Sequence, residues 1–459
     1  MTSKLNRREF VQSTAAAALS STLLRPSGTL ESLADDSITI AAVGDCMMTR
    51  PVSVLPPEEF LPLAKIIRAA DVSFGNFEMT LADADAPPAY HDSCAYVHLR
   101  ADSADNRAIA EELKWAGFKM MGLANNHSMD YGSDGLLATE RKLDDAGLAH
   151  AGTGRDLAEA RSPVYFDSPR GRIALVACAS TFPYGAFAAD GNGEVPGRAG
   201  LSPVRVQTTY RVEPAQLDAL RKVAASMGLG GGNANASSDS FNFLQHKFVA
   251  GSPAGVLTEA DPLDTAAIAA SVKRASRNSE LVLLGIHAHE SAGRAAEIPA
   301  QFLQPFARAC VDAGANAFIG HGPHVLRGIE IYKGCPIFYS LGNFIFHGES
   351  AKQIPPEIYA TCGVSGTDPS DVFDKMIGGF AAEPFWISVI AVPTFRDRKL
   401  ASLKLYPVTL QSQLSRSQRG TPMLATEMLA QHIIEELARL SQPYGTRIAF
   451  RDGVGVVEV

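Results

Sequence analysis

Side chains that can bind metals or move protons recur at six points of the chain, each directly after a short apolar stretch. In chain order they are Gly44-Asp45, Asn76-Phe77-Glu78, Asn125-Asn126-His127, His287-Ala288-His289-Glu290, Gly320-His321-Gly322-Pro323-His324 and Gly342-Asn343. Carboxylates and imidazoles are ligands of Zn, Mn and Fe, and one carboxylate can bridge two cations roughly 3.5–4 Å apart. A hydroxide shared by such a pair is a nucleophile at neutral pH, and the cations neutralise charge on a phosphoryl oxygen. The residue types therefore predict a divalent metal centre, with two ions of Mn, Fe or Zn.

The apolar stretches predict the elements that position these side chains. Short runs rich in β-branched residues predict buried strands at 38–43, 72–74, 119–123, 172–177, 281–286, 317–319 and 336–340. Amphipathic segments between them predict helices at 58–70, 103–116, 133–146, 264–277 and 301–313. This alternation predicts an α/β architecture. Because ligands gather outside the carboxyl ends of strands in open α/β sheets, the polar groups are expected to converge there.

Two stretches interrupt the alternation. A Gly/Asn/Ser-rich stretch near 226–255 predicts a mobile inserted loop, and a Pro/Gly-punctuated stretch near 350–375 predicts an insertion that could form a flap. Returning strands are expected at 386–392 and 401–406, followed by a helix over 422–440 with Thr421 as its N-cap. We therefore expect one decorated domain over residues 35–410 and a C-terminal helical and strand extension of the same domain over 411–459.

The first 34 residues have the pattern of an export signal. Arg7-Arg8 is followed by an uncharged Ala/Ser/Leu stretch and by the small-residue site Ser32-Leu33-Ala34. This pattern predicts a twin-arginine signal peptide over residues 1–34, the twin-arginine export machinery as a partner, and a periplasmic or extracellular location. No later stretch has the roughly 18 uncharged apolar residues of a membrane span. An integral membrane segment in the processed chain is therefore not expected.

The net charge of the chain argues against nucleic acid as a binding partner. The full chain carries −8 and residues 1–34 carry +2, so a chain beginning at Asp35 carries −10. Such a surface repels nucleic acid at long range, and nucleic-acid binding is not expected.

The six cysteines form no CxxC pair, which excludes a zinc ribbon or a thioredoxin motif. Cys94 and Cys362 could pair in an oxidising compartment. Cys46 could act as a thiolate ligand or be a buried thiol.

Six motifs, in this order along the chain, resemble those of the capsule synthesis or poly-γ-glutamate synthesis (CapA-type) proteins of the calcineurin-like metallophosphoesterase superfamily. They are GDCMMTR at 44–50, GNFEMTL at 75–81, LANNHSMDYG at 123–132, IHAHE at 286–290, GHGPHVLRGIEIY at 320–332 and YSLGNFIF at 339–346. The resemblance covers about residues 38 to 347. It implies a calcineurin-like sandwich of two mixed sheets flanked by helices.

The resemblance also assigns roles to particular residues. It makes Asp45 a ligand of one metal, Glu78 the bridging carboxylate and Asn126 a ligand of the second metal. His287, His321 and His324 become further metal ligands, and His127 the general acid for the leaving group. Arg50 is expected to clamp a phosphate or carboxylate, because a guanidinium can grip either one bidentately.

The motifs depart from those of the wider superfamily at three places. Met47 stands where the first motif usually has histidine, and two residues separate His321 from His324. A single tightly bound metal, or none, therefore remains an alternative to two ions. His289 stands where many relatives have glycine, so it is either an additional ligand or a residue lining the substrate pocket.

Three functions fit these features. The first is an exported metal-dependent hydrolase in which metal-bound hydroxide attacks a small-molecule phosphoester. The second is a non-catalytic accessory protein that holds poly-γ-glutamate or a capsular polymer during synthesis or export. The third is metal-dependent cleavage of an amide, such as a γ-glutamyl link.

Overall fold

The computed structural model describes residues 37–89, 98–101, 107–229, 239–350, 354–377 and 382–459. Within it, two mixed β-sheets pack face to face and helices cover their outer faces. The predicted sandwich of two mixed sheets flanked by helices is confirmed. The predicted signal peptide and Cys94 lie outside the described residues.

The first sheet has ten strands and carries the N-terminal part of the site. Its main path runs in the order Ile448–Arg451, Val454–Val457, Lys399–Thr409, Ile387–Arg396, Ile38–Met47, Val72–Phe77, Met120–Gly122, Ala149–Ala151. Two short strands, Asn343–Phe346 and Met423–Leu424, pair beside this path. The strand Ile38–Met47 pairs parallel with Val72–Phe77 and antiparallel with Ile387–Arg396, which makes the sheet mixed.

The second sheet has six strands and carries the histidine-rich part of the site. Its order is Leu326–Tyr332, Cys335–Leu341, Ala317–His321, Leu281–His287, Gly171–Ala179, Val164–Ser168. The four central strands are parallel and the two outer strands are antiparallel to their neighbours. Leu281–His287 is buried along its whole length, as expected of a central parallel strand covered on both faces.

Three apolar clusters hold the layers together. Between the sheets, Ile40 and Phe74 of the first sheet pack with Leu283 and Ile319 of the second. The outer face of the first sheet packs against the helices Leu61–Ala69, Arg107–Ala116 and Gly132–Ala146. The outer face of the second sheet packs against the helices Pro262–Ser276 and Leu303–Ala313. The predicted alternation of strands and helices thus gives four layers.

The stretch predicted to be a mobile loop near 226–255 contains regular structure. Ser240–Phe243 and His246–Ala250 form a four-stranded sheet with Val206–Val212 and Gly255–Ala260, beside the helix Pro214–Ser226. For the described residues 239–255, the loop prediction is therefore wrong. The stretch near 350–375 contains two short helices, Pro356–Thr361 and Pro369–Ile377, which share a small apolar cluster of their own.

The C-terminal helix begins later than predicted. It spans Glu427–Ser441 with Thr426 at its N-cap position, because Met423–Leu424 pairs with the strand Lys399–Thr409 and cannot be helical. Its Ile433 and Leu437 reach the core between the sheets. The remaining elements are the helix Leu157–Ala160, the 3-10 turns Gly348–Ser350, Glu383–Trp386 and Gln442–Tyr444, and the two-stranded pairs Thr153–Gly154 with Gly200–Leu201 and Ser291–Ala292 with Ala295–Pro299.

Across the described ranges, every helix is too short or too polar to span a bilayer.

Candidate metal centre

The centre lies where the carboxyl ends of strands from both sheets meet. Asp45 and Glu78 come from the first sheet, at the end of Ile38–Met47 and directly after Val72–Phe77. His287 and His321 end two neighbouring strands of the second sheet, where they are register partners. The structure therefore brings together side chains that are far apart in sequence, as the strand-end argument predicted.

A close backbone approach fixes Asp45. Its N–H donates to the carbonyl of Gly342 at 3.0 Å, and the strand register shifts on either side of it. A Cβ atom at Gly44 would lie 1.8 Å from the same Gly342 oxygen, so position 44 must be glycine for the chains to come this close.

The first group of potential ligands is Asp45, His287 and His321, whose ligand atoms all lie within 4.8 Å of one another. Asp45 Oδ1 is 3.8 Å from His287 Nδ1 and 3.7 Å from His321 Nδ1. Asn76 Nδ2 donates to Asp45 Oδ1 at 2.8 Å, and the Gly322 N–H donates to Oδ2 at 3.0 Å. Burial alone would raise the pKa of Asp45, but the surrounding donors and imidazoles lower it to about 2. Asp45 is therefore ionised at neutral pH.

The second group is Glu78, His289 and His324, again with all ligand atoms within 4.8 Å of one another. Glu78 Oε1 lies 3.7 Å from His324 Nε2 and 3.6 Å from His287 Nε2. Both Glu78 oxygens are buried, and neither has a hydrogen-bond partner in the described part of the chain. Burial and repulsion by Asp45 raise the pKa of Glu78 well above its usual value. A buried carboxylate without donors is costly unless a cation neutralises it.

Three imidazoles of the centre, those of His287, His289 and His321, are neutral at neutral pH. Burial lowers the pKa of His287 and His289 well below its usual value, and neighbouring histidines lower both further. Burial also lowers the pKa of His321, to about 4, although Asp45 opposes the change. Neutral imidazole is the form that binds a metal, so these rings are ready to act as ligands.

Asn343 sets the tautomer of His324. Its side-chain nitrogen donates to the carbonyls of Phe385, at 3.1 Å, and of His324, at 3.4 Å, so its oxygen faces His324 Nδ1 at 2.9 Å as an acceptor. His324 Nδ1 therefore carries the proton and leaves the Nε2 lone pair directed toward Glu78. His324 also has a φ of 61°, a left-handed conformation that is rare outside glycine and that clusters at functional sites.

The loop after Met120–Gly122 carries Asn126 and His127. His127 Nδ1 lies 2.8 Å from Asp130 Oδ2, and both side chains are buried. The His127 N–H also donates to Asn125 Oδ1 at 3.1 Å, which fixes the turn. Among the residues that the structure describes, Asn126 Oδ1 is buried without a hydrogen-bond partner, as expected of an oxygen that would bind a cation. The sequence prediction gave Asp130 no role, although its spacing of three residues from His127 was the available signal.

Arg50 contacts the loop around residues 418 and 419. Its Nη2 donates to the carbonyls of Gln418, at 3.0 Å, and Arg419, at 2.8 Å, and so ties that loop to the end of the first strand. Cys46 is a buried thiol, and burial together with the nearby Asp45 and Glu78 carboxylates raises its pKa well above the usual value. The thiol form of Cys46 is therefore the stable one.

The donor set fits divalent cations. Two carboxylates and four imidazoles form the two ligand groups, and within the described part of the chain the oxygens of Glu78, Oδ1 of Asn126 and Nε2 of His321 lack hydrogen-bond partners. Mixed oxygen and imidazole ligands suit Zn, Mn and Fe. The Glu78 group contains His289, which the sequence placed only as a pocket residue or an extra ligand.

Comparison with known proteins identifies the family. The profile of the family described as "Bacterial capsule synthesis protein PGA_cap" matches residues 39–348, more than half of the chain. The chain belongs to this family of bacterial capsule synthesis proteins.

Individual relatives agree with this assignment. The protein y4sH of Sinorhizobium fredii is 36% identical over 440 residues, which cover 92% of this chain and 94% of the relative. The "Capsule biosynthesis protein CapA" of Bacillus anthracis is 27% identical over 68% of this chain and 60% of the relative. The "PGA biosynthesis protein CapA" of Bacillus subtilis (strain 168) is 26% identical over 69% of this chain and 65% of the relative. Residues 39–348, the range that the family profile matches, contain every side chain of the two ligand groups.

Proposed function

We propose that this chain is an exported metal-dependent hydrolase that cleaves a phosphoester. The observation that carries the proposal is the buried Glu78 carboxylate, whose two oxygens have no hydrogen-bond partner among the described residues and which lies beside the imidazoles of His287 and His324. Such an arrangement is unfavourable in the absence of cations and becomes favourable when they bind. A purely structural carboxylate at this depth would be expected to have hydrogen-bond donors.

The protein side chains have distinct tasks in this proposal. Asp45 with His287 and His321 holds one cation, and Glu78 with His324 and Asn126 holds the other. Bound cations would polarise a phosphoryl oxygen and lower the pKa of a water molecule.

His127 is the group that moves the proton of the leaving oxygen. Asp130 accepts from Nδ1 of His127, so the second ring nitrogen, Nε2, is the one that exchanges a proton with the substrate. Asp130 also accepts from the Leu99 N–H at 2.7 Å, which holds the carboxylate in place. Asp130 is thus a positioning residue and His127 a catalytic one.

The first experiment measures metal content and hydrolysis together. The chain is purified without chelator, its metals are counted by elemental mass spectrometry, and the hydrolysis of bis(p-nitrophenyl) phosphate is followed. We expect about two equivalents of Mn, Fe or Zn, together with activity that Glu78→Gln abolishes. Glu427→Gln, on an exposed turn of the C-terminal helix, is the matched control and should leave both quantities unchanged. Full hydrolysis by Glu78→Gln would refute the proposal.

Export forms a second part of the proposal. Residues 1–34 have the twin-arginine pattern, and we assign the processed chain to the periplasm or the cell exterior. Replacing Arg7 and Arg8 together with lysine should retain the precursor in the cytoplasm. An unchanged distribution between cell fractions would contradict this assignment.

The names of the relatives favour a second candidate, an accessory role in the synthesis of poly-γ-glutamate or of a capsular polymer. In that role the chain holds the polymer or cleaves its γ-glutamyl amide links. Glu78→Gln separates these possibilities, because polymer binding would survive the substitution while metal-dependent cleavage would not. A charge of −10 after residue 34 disfavours binding of a polyanion unless cations offset it.

A further inference from the structure

His289 is oriented toward the centre from a half-buried position. Its Nε2 lies 2.8 Å from His287 Nε2, and its ring stands edge-on to that of His324, with 5.1 Å between the ring centroids. Its ligand atom lies within 4.8 Å of those of Glu78 and His324. The 2.8 Å contact with His287 joins the two ligand groups, whereas the ligand atoms of Glu78, His289 and His324 are close enough to one another to bind one cation.

The backbone that carries His289 is held by a buried guanidinium. Arg327 is fully buried, and it donates to the carbonyls of Ala288 at 3.3 Å, His289 at 3.3 Å, Glu290 at 3.1 Å and Ala296 at 2.8 Å. Burying an arginine is costly, and here the four carbonyls that compensate it belong to one loop. The loop that presents His289 is therefore tightly fixed.

A second contact holds the backbone N–H of His289. The His289 N–H donates to the hydroxyl of Thr181 at 2.9 Å. Both polar groups of the His289 backbone are thus bound, its N–H by Thr181 and its carbonyl by Arg327. Ligands of metal sites are commonly held in this way by an outer layer of hydrogen bonds.

The geometry points to His289 as a further protein ligand of the second cation, beside Glu78, His324 and Asn126, and to Arg327 and Thr181 as its positioning residues. The inference rests on the proposed function for the presence of cations and adds which side chains complete the second site. It predicts that this chain holds its second cation with an imidazole that relatives with glycine at this position lack.

The test counts cations in the full chain. Metal-free parent, His289→Ala and His246→Ala are equilibrated with Mn²⁺ at fixed free concentrations, and bound Mn²⁺ is measured by elemental analysis and calorimetry. His246 is an exposed histidine on the strand His246–Ala250, so His246→Ala is the matched control. We expect two equivalents in the parent and the control. In His289→Ala we expect one tight equivalent and a second that binds at least about 100-fold more weakly. Free imidazole should restore the second equivalent.

Other Mn²⁺ stoichiometries would refute either the proposed function or the role of His289 as a ligand. No bound Mn²⁺ in the folded parent would refute the proposed function itself. One equivalent in the parent, or two tight equivalents in His289→Ala, would refute the inference while leaving metal binding intact. The latter result, with a raised KM, would make His289 a substrate-binding residue.

Thr181→Val tests the positioning role without altering a ligand. It should weaken the second Mn²⁺ site by about 10-fold and leave the first unchanged. Equal weakening of both sites would indicate a general structural effect and count against this role.

Discussion

Glu78→Gln should stabilise the metal-free protein even though it removes a metal ligand. The carboxylate is buried, its two oxygens have no hydrogen-bond partner, and Asp45 repels it. Leaving such a group unsatisfied costs about 1–3 kcal/mol or more. An uncharged amide that can donate to Asp45 removes the repulsion, so the free energy of unfolding should rise by about 1–3 kcal/mol at pH 8.

The pH dependence of this gain has a definite sign. Because the pKa of Glu78 is raised in the folded state, folding favours the protonated form, and the parent loses stability as the pH rises from 4.5 through the folded pKa. The Gln variant has no such loss. The difference in stability between variant and parent should therefore be small near pH 4.5 and grow toward pH 8.

Added metal should offset most or all of the variant's advantage in stability. A cation that binds only the folded state, at 100 times its dissociation constant, stabilises the parent by about 2.7 kcal/mol per site. The variant should lose this gain at the site that contains Glu78. Urea unfolding with chelator and with excess Mn²⁺ measures both effects. A Gln variant that is less stable than the parent without metal at pH 8 would refute the reasoning.

Three further predictions concern single residues. Asp130→Asn should lower turnover by about 100-fold and change its pH profile, with metal content unchanged, because His127 loses its charged partner; loss of metal instead would show a ligand-holding role. Gly44→Ala should destabilise the fold by about 3 kcal/mol or more and lower metal content, since its Cβ would lie 1.8 Å from the carbonyl of Gly342; thermal unfolding would show this, and an unchanged midpoint would contradict the close approach. Asp264→Asn should cost about 2 kcal/mol in urea unfolding, because the buried carboxylate pairs with two arginines; no loss would show that these pairs contribute little.

The sandwich was predictable because its central strands are continuous apolar runs between helices with one apolar face. The same signal fails near 226–255. Ser240–Phe243 and His246–Ala250 follow directly after a run rich in glycine, asparagine and serine, and His246–Ala250 pairs with Val206–Val212, which lies well before that run in the sequence. Local composition does not record that pairing. The later start of the C-terminal helix has a similar cause, a strand pairing that overrides helix propensity.

Most of the candidate site was predictable for another reason. Strand ends converge in an α/β sheet, so residue type and position suffice to select Asp45, Glu78 and the histidines. The supporting residues were not predictable in this way. Arginine is usually found at the protein surface, and only the folded structure shows that the Arg327 guanidinium is buried against the backbone of His289.

Because both sheets contribute ligands to one candidate centre, metal binding under the proposed function would occur late in the synthesis of the chain. The first sheet supplies ligands at positions 45 and 78, whereas the second supplies them at positions 287 to 324. During synthesis, neither ligand group is complete until the ribosome has passed residue 321, and the Glu78 group not until it has passed residue 324. Under the proposed function, bound cations would join the two halves of the sandwich and close a loop of more than 200 residues, so they would bind only after the halves have docked. Under the proposed function, a bound cation would therefore distinguish a completely folded chain from a partly folded one.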